Sequence, residues 1–245
     1  MARTEKLRRK DLREPDEFIT LSRQAVTFAQ ENRTALLAGV GALALVVVAV
    51  IAYQMISASR QARAGVAYHA AHRLLADRKY PEAAAAFQEL ASSYGSTTYG
   101  ALAELQAGNA LLSAGRGPEA VTAYQRFLES GPATDYLRQT AQTGLAYAQE
   151  QDGHFADAKT NFAGAATVTG PLTEDALLGA ARTAEAAGDQ SGAKGFYEQV
   201  LQKYPTSDSR ALVTDRLVRL GWTPPAKGQE ESASPAAPDA GRAGE

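Results

Sequence analysis

The longest apolar pattern in the chain runs from Ala35 to Tyr53 and contains neither a charged residue nor a proline. At about 1.5 Å per residue, a helix over this run matches the ~30 Å hydrocarbon core of a bilayer. We predict a transmembrane helix at residues 35–56. A cleaved signal peptide is one alternative, although polar residues fill the preceding 34 positions and the run exceeds the usual length of about 7–15 residues. A buried core helix is the other, and it would need a large domain around it.

Further along the chain, an alanine followed four residues later by an aromatic residue recurs at nearly constant spacing. The alanines are Ala83, Ala120, Ala158 and Ala193, and the aromatic residues are Phe87, Tyr124, Phe162 and Tyr197. The last three alanines are preceded by Gly115, Gly153 and Gly188. Glycine favours a left-handed turn between two helices, alanine lets two helices cross closely, and the aromatic ring fills the gap to the next unit. The pattern predicts helix–turn–helix units that must stack to bury their apolar faces.

Weaker helical patterns lie on both sides of these regions. Pro15, followed by Asp16 and Glu17, is typical of a helix start, and the apolar residues after it recur at helical spacing. We predict an amphipathic helix there that either lies at the membrane interface or docks on a membrane partner. No proline occurs at residues 16–80, which permits one continuous helix from the membrane into the repeats but leaves two separate helices as the alternative.

The end of the repeat region has its own signals. Thr173, followed by Glu174 and Asp175, predicts a helix N-cap. Residues 208–220 form one more amphipathic pattern, which is typical of the cap that repeat arrays need. Residues 223–245 contain four prolines and no aromatic residue, and we expect them to be disordered.

These patterns predict an all-α protein. A single N-terminal transmembrane helix precedes a stack of about four degenerate helical hairpins and a C-terminal capping helix. The predicted organisation is a basic tail at residues 1–14, the amphipathic segment at 15–34, the transmembrane helix at 35–56, the repeat domain at 57–222 and the disordered tail at 223–245.

The charge of the chain is unevenly distributed. The 34 residues before the apolar run carry eight Lys/Arg and six Asp/Glu, a net charge of +2, and the remainder carries 17 and 21, a net charge of −4. Short basic tails stay in the cytoplasm, so we expect a single-pass protein of a bacterial inner membrane with its repeats in the periplasm. The basic tail either only sets this orientation or also contacts anionic lipid. An acidic repeat domain argues against nucleic acid as a partner.

Candidate chemistry is sparse in this sequence. The chain has no cysteine, which excludes disulfides and thiolate catalysis. His69 and His72 have a spacing that could hold a metal, but no third ligand accompanies them. We find no phosphate-binding loop or nucleophile motif, and therefore predict no enzyme activity, cofactor, metal or small-molecule substrate. The candidate partner-binding residues, polar positions on the first helix of each hairpin, are Arg73, Gln106, Asn109, Tyr147 and Arg182.

The repeat resembles the tetratricopeptide repeat. The second unit carries the family pattern best, with Gly108, Leu111, Gly115, Ala120, Tyr124 and Pro132. The tryptophan of the general pattern is absent, and the third unit has two extra residues between Gly144 and Gly153. The resemblance implies that the hairpins form a right-handed superhelix. It also implies that Gly108 packs between helices, as do the alanine and aromatic residues of the repeats.

The layout of one membrane helix followed by degenerate repeats is similar to the ancillary SecYEG translocon subunit (YfgM-like) family, over residues 15–220. That resemblance implies a non-enzymatic scaffold whose partners are translocon subunits, periplasmic chaperones or exported chains. The alternative is a periplasmic adaptor in outer-membrane or cell-envelope assembly, since the stretch from Glu198 to Pro205 also resembles such repeats. An enzyme remains a third class, for which the sequence offers no site.

Overall fold

The computed structural model describes residue 23, residues 26–28, residues 30–131 and residues 134–223. The predicted basic tail, most of the predicted amphipathic segment, and residues 224–245 lie outside these ranges. The helices are α1 (Arg33–Ala76), α2 (Tyr80–Tyr94), α3 (Thr98–Ser113), α4 (Gly117–Ser130), α5 (Asp135–Gln151), α6 (Phe155–Ala165), α7 (Thr173–Ala186), α8 (Gln190–Lys203) and α9 (Arg210–Arg219). No strand occurs among the residues described, and the all-α prediction is confirmed.

The chain divides into two compact units, Met1–Ser59 and Arg60–Glu245. In the first unit, every residue of α1 from 33 to 59 is exposed, including its large apolar side chains. By length and composition, α1 could cross a membrane. The predicted span at residues 35–56 lies within α1, and helical structure continues to Ala76.

The second unit is a stack of helical hairpins. Each hairpin pairs a first helix with a second: α1 from residue 60 with α2, α3 with α4, α5 with α6, and α7 with α8, and α9 packs on α8. The first helices of successive hairpins also meet directly, α3 against α5 and α5 against α7. They therefore lie side by side and form one surface, which we call the first-helix face.

The turn inside each hairpin has the same backbone form. Arg78, Gly115, Gly153 and Gly188 have positive φ values of 59°, 73°, 77° and 79°, and each lies two residues beyond the end of the preceding helix. A backbone hydrogen bond closes each turn, as from Arg116 N–H to the Leu111 carbonyl at 2.9 Å. Three of these turns use glycine, which adopts positive φ without steric cost, and the first uses an arginine.

Threonine caps two of the first helices. The Thr97 hydroxyl accepts a hydrogen bond from Gly100 N–H at 3.0 Å, and the Thr134 hydroxyl accepts one from Leu137 N–H at 3.4 Å. Both hydroxyls thus satisfy a backbone donor in the first turn, which stabilises the helix start.

The prediction that Thr173 is an N-cap is wrong. Leu172 is the N-cap residue of α7 and makes no side-chain cap bond, while Thr173 is the first helical residue. The Thr173 hydroxyl is buried in the loop before α7, where it accepts from Gly170 N–H at 2.9 Å and from Gln139 Nε2 at 3.2 Å. Gln139 lies 34 residues upstream, so this loop is held by a contact that local pattern does not reveal.

The repeated aromatic residues form the centre of the packing. Tyr124 is fully buried, and a Cβ added to Gly108 or to Gly144 would lie 2.8 Å or 2.4 Å from its ring. The ring therefore fills the space between the first helices of two successive hairpins. Phe162 occupies the equivalent place beside Gly179, where an added Cβ would lie 2.6 Å from the ring. Only a residue without a side chain permits these approaches.

The other residues expected to pack between helices are also buried. Ala83, Phe87, Ala120, Ala158, Phe162 and Ala193 have no exposed surface, and Tyr197 is 4% exposed. The alanines lie at the start of the second helices, where their small side chains allow close crossing.

Candidate functional site

The first-helix face carries an aromatic cluster in its first two hairpins. The Tyr68 ring lies 4.5 Å from His72, 5.1 Å from Tyr99 and 5.7 Å from Phe87, measured between ring centroids. His69 lies 6.1 Å from both Tyr68 and Tyr99. Phe87 is fully buried in the core, whereas the other four rings keep exposed surface. The cluster is thus anchored at its base and open above.

Two amide side chains on α3 adjoin this cluster. Asn109 Nδ2 donates to Gln106 Oε1 at 3.3 Å, and the Tyr124 hydroxyl donates to Asn109 Oδ1 at 2.8 Å. Burial raises the pKa of Tyr68, and a hydrogen bond from Gln106 to its hydroxyl opposes that rise. The amides therefore connect the buried Tyr124 with the aromatic cluster.

A charged cluster lies between the first helices of the third and fourth hairpins. The Arg182 guanidinium binds both oxygens of Glu150, through Nε at 2.5 Å and Nη2 at 2.7 Å. The same guanidinium lies 5.7 Å from the centre of the Tyr147 ring, and the Tyr147 hydroxyl donates to Asp175 Oδ1 at 2.7 Å. Arg182 and Asp175 come from α7, and Tyr147 and Glu150 come from α5, so this cluster joins the two hairpins.

Electrostatics in this cluster follow from these contacts. Burial, reinforced by the Asp175 carboxylate, raises the pKa of Tyr147 to about 12. The bonds to Glu150 raise the pKa of Arg182 above its usual value, which is already high. The Arg182 guanidinium is paired with Glu150, so little of its charge is left for a ligand, and Asp175 is hydrogen-bonded to the neutral Tyr147 hydroxyl.

Four of the five predicted partner-binding residues belong either to the amide pair beside the aromatic cluster or to the charged cluster. Gln106 and Asn109 contact each other, and Tyr147 contacts Arg182. Arg73 is exposed and belongs to neither group.

Several residues of the aromatic cluster and of the charged cluster were not among the predicted partner-binding residues. They are Tyr68, His69, His72, Tyr99, Glu150 and Asp175. A signal for the charged members exists in the sequence, since opposite charges 30 to 32 residues apart pair repeatedly. The pairs are Lys159–Asp189, Arg216–Glu185 and Arg182–Glu150. That separation is close to one repeat length, as expected for equivalent helices in adjacent hairpins.

The side chains described above are engaged in ring packing, hydrogen bonds and ion pairs. His69 and His72, considered above as metal ligands, instead pack against the Tyr68 ring. No group of three or more His, Asp or Glu side chains that could hold a metal occurs in the described part of the chain. Burial lowers the pKa of His72, and the neighbouring His69 lowers it further, so this ring is kept neutral at physiological pH.

Comparison with known proteins agrees with the hairpin stack. A family model described as a tetratricopeptide repeat-like domain matches residues 27–169, which is more than half of the 245-residue chain. A second, described as a tetratricopeptide repeat, matches residues 175–207. Comparison with curated proteins finds no match.

Solved structures share the fold. The crystal structure of the nearly identical TPR-like repeats of a kinesin light chain-type protein from Podosopora anserina matches with a TM-score of 0.54 and 17% identity. The match covers 65% of this chain and 86% of that chain, and a point variant of the same protein gives the same TM-score. Together with the match over residues 27–169, this shows that the chain belongs to the tetratricopeptide repeat-like domain family.

Proposed function

We propose that this protein is a non-enzymatic scaffold of a bacterial inner membrane that associates with the protein-export translocon and with periplasmic chaperones or exported chains. One observation carries the proposal: a single chain combines an exposed apolar helix long enough to cross a membrane with a stack of tetratricopeptide repeats. Such repeats indicate a protein–protein interaction scaffold, because stacked hairpins present an extended surface to partners.

The surface of α1 supports the membrane part of the proposal. Leu37, Leu45 and Tyr53 are 73%, 72% and 73% exposed, and they belong to a run without a charged residue. Burying apolar surface is worth about 25 cal/mol per Å², so this stretch gains stability when lipid covers it. A contiguous exposed apolar surface of this kind is rare on soluble monomers.

The orientation follows from the charges of the first 34 residues, which are net positive. A short basic tail stays in the cytoplasm and leaves the repeats in the periplasm. Protease added outside intact spheroplasts is expected to digest the repeats. If the repeats resisted the protease until the membrane was disrupted, they would lie in the cytoplasm and the orientation would be the reverse.

The partners are tested by affinity purification of the full-length protein in mild detergent, with bound proteins identified by mass spectrometry. One control lacks residues 1–56. A second control keeps residues 1–34 and the repeats but replaces residues 35–56 with an unrelated apolar span of the same length. We expect translocon subunits with the full-length protein and none with the first control.

The second control separates anchoring from docking. Translocon subunits that are lost with the unrelated span dock on the native membrane helix. Recovery of only periplasmic or outer-membrane assembly factors, by the full-length protein and by both controls, would instead mean that the repeats alone select the partner. The translocon proposal would then give way to the envelope-assembly adaptor.

A further inference from the structure

The aromatic cluster and the two amides next to it form one surface, which we call the aromatic–amide patch. It consists of Tyr68, His69, His72, Tyr99, Gln106 and Asn109. Its rings are fixed from below by the buried Phe87, which lies 5.2 Å from His72 and 5.7 Å from Tyr68. Rings held in this way lose little conformational entropy when a ligand covers them.

The patch contains no Asp, Glu, Lys or Arg side chain. Among the described residues, its ring contacts and hydrogen bonds involve no Asp, Glu, Lys or Arg side chain. A charged ligand that docked here would lose hydration without gaining an opposite charge, which is unfavourable. At the other end of the first-helix face, the Arg182 guanidinium is already paired with Glu150. The surface therefore selects against charged ligands.

The amides provide hydrogen-bonding capacity of both kinds. A carboxamide has two N–H donors and an oxygen with two lone pairs. Asn109 Nδ2 uses one of its hydrogens on Gln106, and Asn109 Oδ1 uses one lone pair on the Tyr124 hydroxyl. The remaining donors and lone pairs match what an extended polypeptide offers, namely one N–H and one C=O per residue. The ring faces beside them match an aromatic side chain.

We propose that the aromatic–amide patch binds an extended, uncharged polypeptide segment that carries aromatic side chains. This inference rests on the proposed scaffold function and names the chemistry of one partner. The aromatic side chain stacks against Tyr68, Tyr99 and His69, and the backbone next to it bonds to Gln106 and Asn109. Such segments are exposed in polypeptides that have not yet folded.

The test measures peptide binding to the full-length protein in detergent by fluorescence anisotropy. The probe is a labelled peptide of about ten residues, which spans about 33 Å when extended. It is capped at both ends, built from Ser, Gly and Gln, and contains two phenylalanines. Three matched peptides replace the phenylalanines with alanine, or keep them and add either two glutamates or two lysines. Empty micelles give the background for each peptide.

Two protein variants and two matched controls accompany the peptides. His69→Ala removes an exposed ring of the patch, and Gln106→Ala removes one amide. Tyr136→Ala removes a ring that is 58% exposed but lies outside the patch, and Arg63→Ala removes an exposed charge from the same helix as His69. Circular dichroism checks that each variant retains its helix content, which we expect because none of these side chains is fully buried.

We expect the phenylalanine peptide to bind about tenfold more tightly than the alanine peptide, since ring pairs add to the burial of area. His69→Ala and Gln106→Ala should weaken its binding several-fold, whereas Tyr136→Ala and Arg63→Ala should not change it. Equal binding of the phenylalanine and alanine peptides would overturn the inference. So would tighter binding of either charged peptide, or an equal loss in the patch variants and the controls.

The two proposals fail separately. Co-purification of translocon subunits is tested through the membrane span, and it does not require the patch. If the protein showed no peptide selectivity but still co-purified with translocon subunits, only the proposal for the aromatic–amide patch would be rejected. If the protein kept its peptide selectivity but did not co-purify with translocon subunits, only the proposed association with the translocon would be rejected.

Discussion

Gly144 shows how closely adjacent repeats approach each other. It lies in the first helix of the third hairpin, and an added Cβ would come within 2.4 Å of Tyr124 Cζ. Tyr124 is fully buried, so its ring cannot move aside without disturbing both hairpins. A glycine in a helix interior normally lowers stability, and here it is required by the ring that it faces.

Gly144→Ala is therefore expected to lower the free energy of unfolding by about 1–3 kcal/mol, the range for overpacked cores. The matched control is Gly195→Ala, also within a helix, where no atom lies within 4 Å of the added Cβ. That change should raise stability by up to about 1 kcal/mol, because alanine favours helix. Chemical denaturation in detergent measures both, and a destabilised Gly195→Ala would contradict this account.

The turn of the first hairpin provides a second pair of substitutions. Arg78 has φ of 59° where the other hairpins have glycine, and a left-handed backbone costs a residue with a side chain about 1–2 kcal/mol. Arg78→Gly should raise the thermal unfolding temperature. Gly115→Ala should lower it, although an added Cβ at Gly115 has no neighbour within 4 Å. Equal effects of the two changes would show that φ is not the cause.

Between elements, Tyr147 contributes one bond to the contact of α5 with α7. Its hydroxyl is bonded to Asp175, and its pKa is raised to about 12 by burial and by that carboxylate. In the unfolded chain a tyrosine titrates near pH 10. The folded state then holds a proton that the unfolded state has lost, so stability falls as pH rises from about 10 towards 12.

Tyr147→Phe should remove part of this alkaline loss of stability, and Asp175→Asn should move the titration of Tyr147 back towards its ordinary pKa. Denaturant unfolding between pH 9 and about 12 measures the first effect, and ultraviolet absorbance of the phenolate measures the second. An unchanged pH slope in Tyr147→Phe would mean that the remaining buried tyrosines, Tyr124 among them, carry the whole effect.

In the repeat domain as a whole, apolar packing is divided among clusters that follow the chain. One cluster extends from Ala64 to Ala148, and another contains Leu177, Val200, Val213 and Leu217. Val213 and Leu217 belong to α9 and have no exposed surface. Since each repeat contacts only its neighbours, loss of the cap should be felt most in the nearest hairpin.

A chain that ends at Lys203 should therefore lose amide hydrogen-exchange protection first in α8 and α7, while α3 and α4 keep theirs. A chain that ends at residue 223 retains α9 and serves as the control. A uniform loss of protection across all hairpins would show that the domain unfolds as one cooperative unit, contrary to the expectation for stacked repeats.

The repeat spacing in the sequence is sufficient to predict the fold, since hairpin geometry depends on local residues. At fixed offsets, a glycine forms the turn, an alanine allows the close helix crossing and an aromatic residue fills the space to the next hairpin. Gly115, Ala120 and Tyr124 lie as that spacing predicts. The apolar run from Ala35 to Tyr53 is equally local, because helix length and composition alone match a bilayer. The role of Thr173 was predicted wrongly because its partner, Gln139, lies on another helix.

The tertiary structure alone decided which polar residues meet. Arg182 and Glu150 are 32 residues apart, and Tyr68 and Tyr99 are 31 apart, so their contact depends on how adjacent hairpins stack. A periodic sequence predicts that such pairs exist but does not select among the many side chains at similar separation. Stacking joins Tyr147 and Arg182 to their carboxylate partners and leaves Tyr68, His69 and Tyr99 partly exposed, a contrast that depends on the placement of the hairpins.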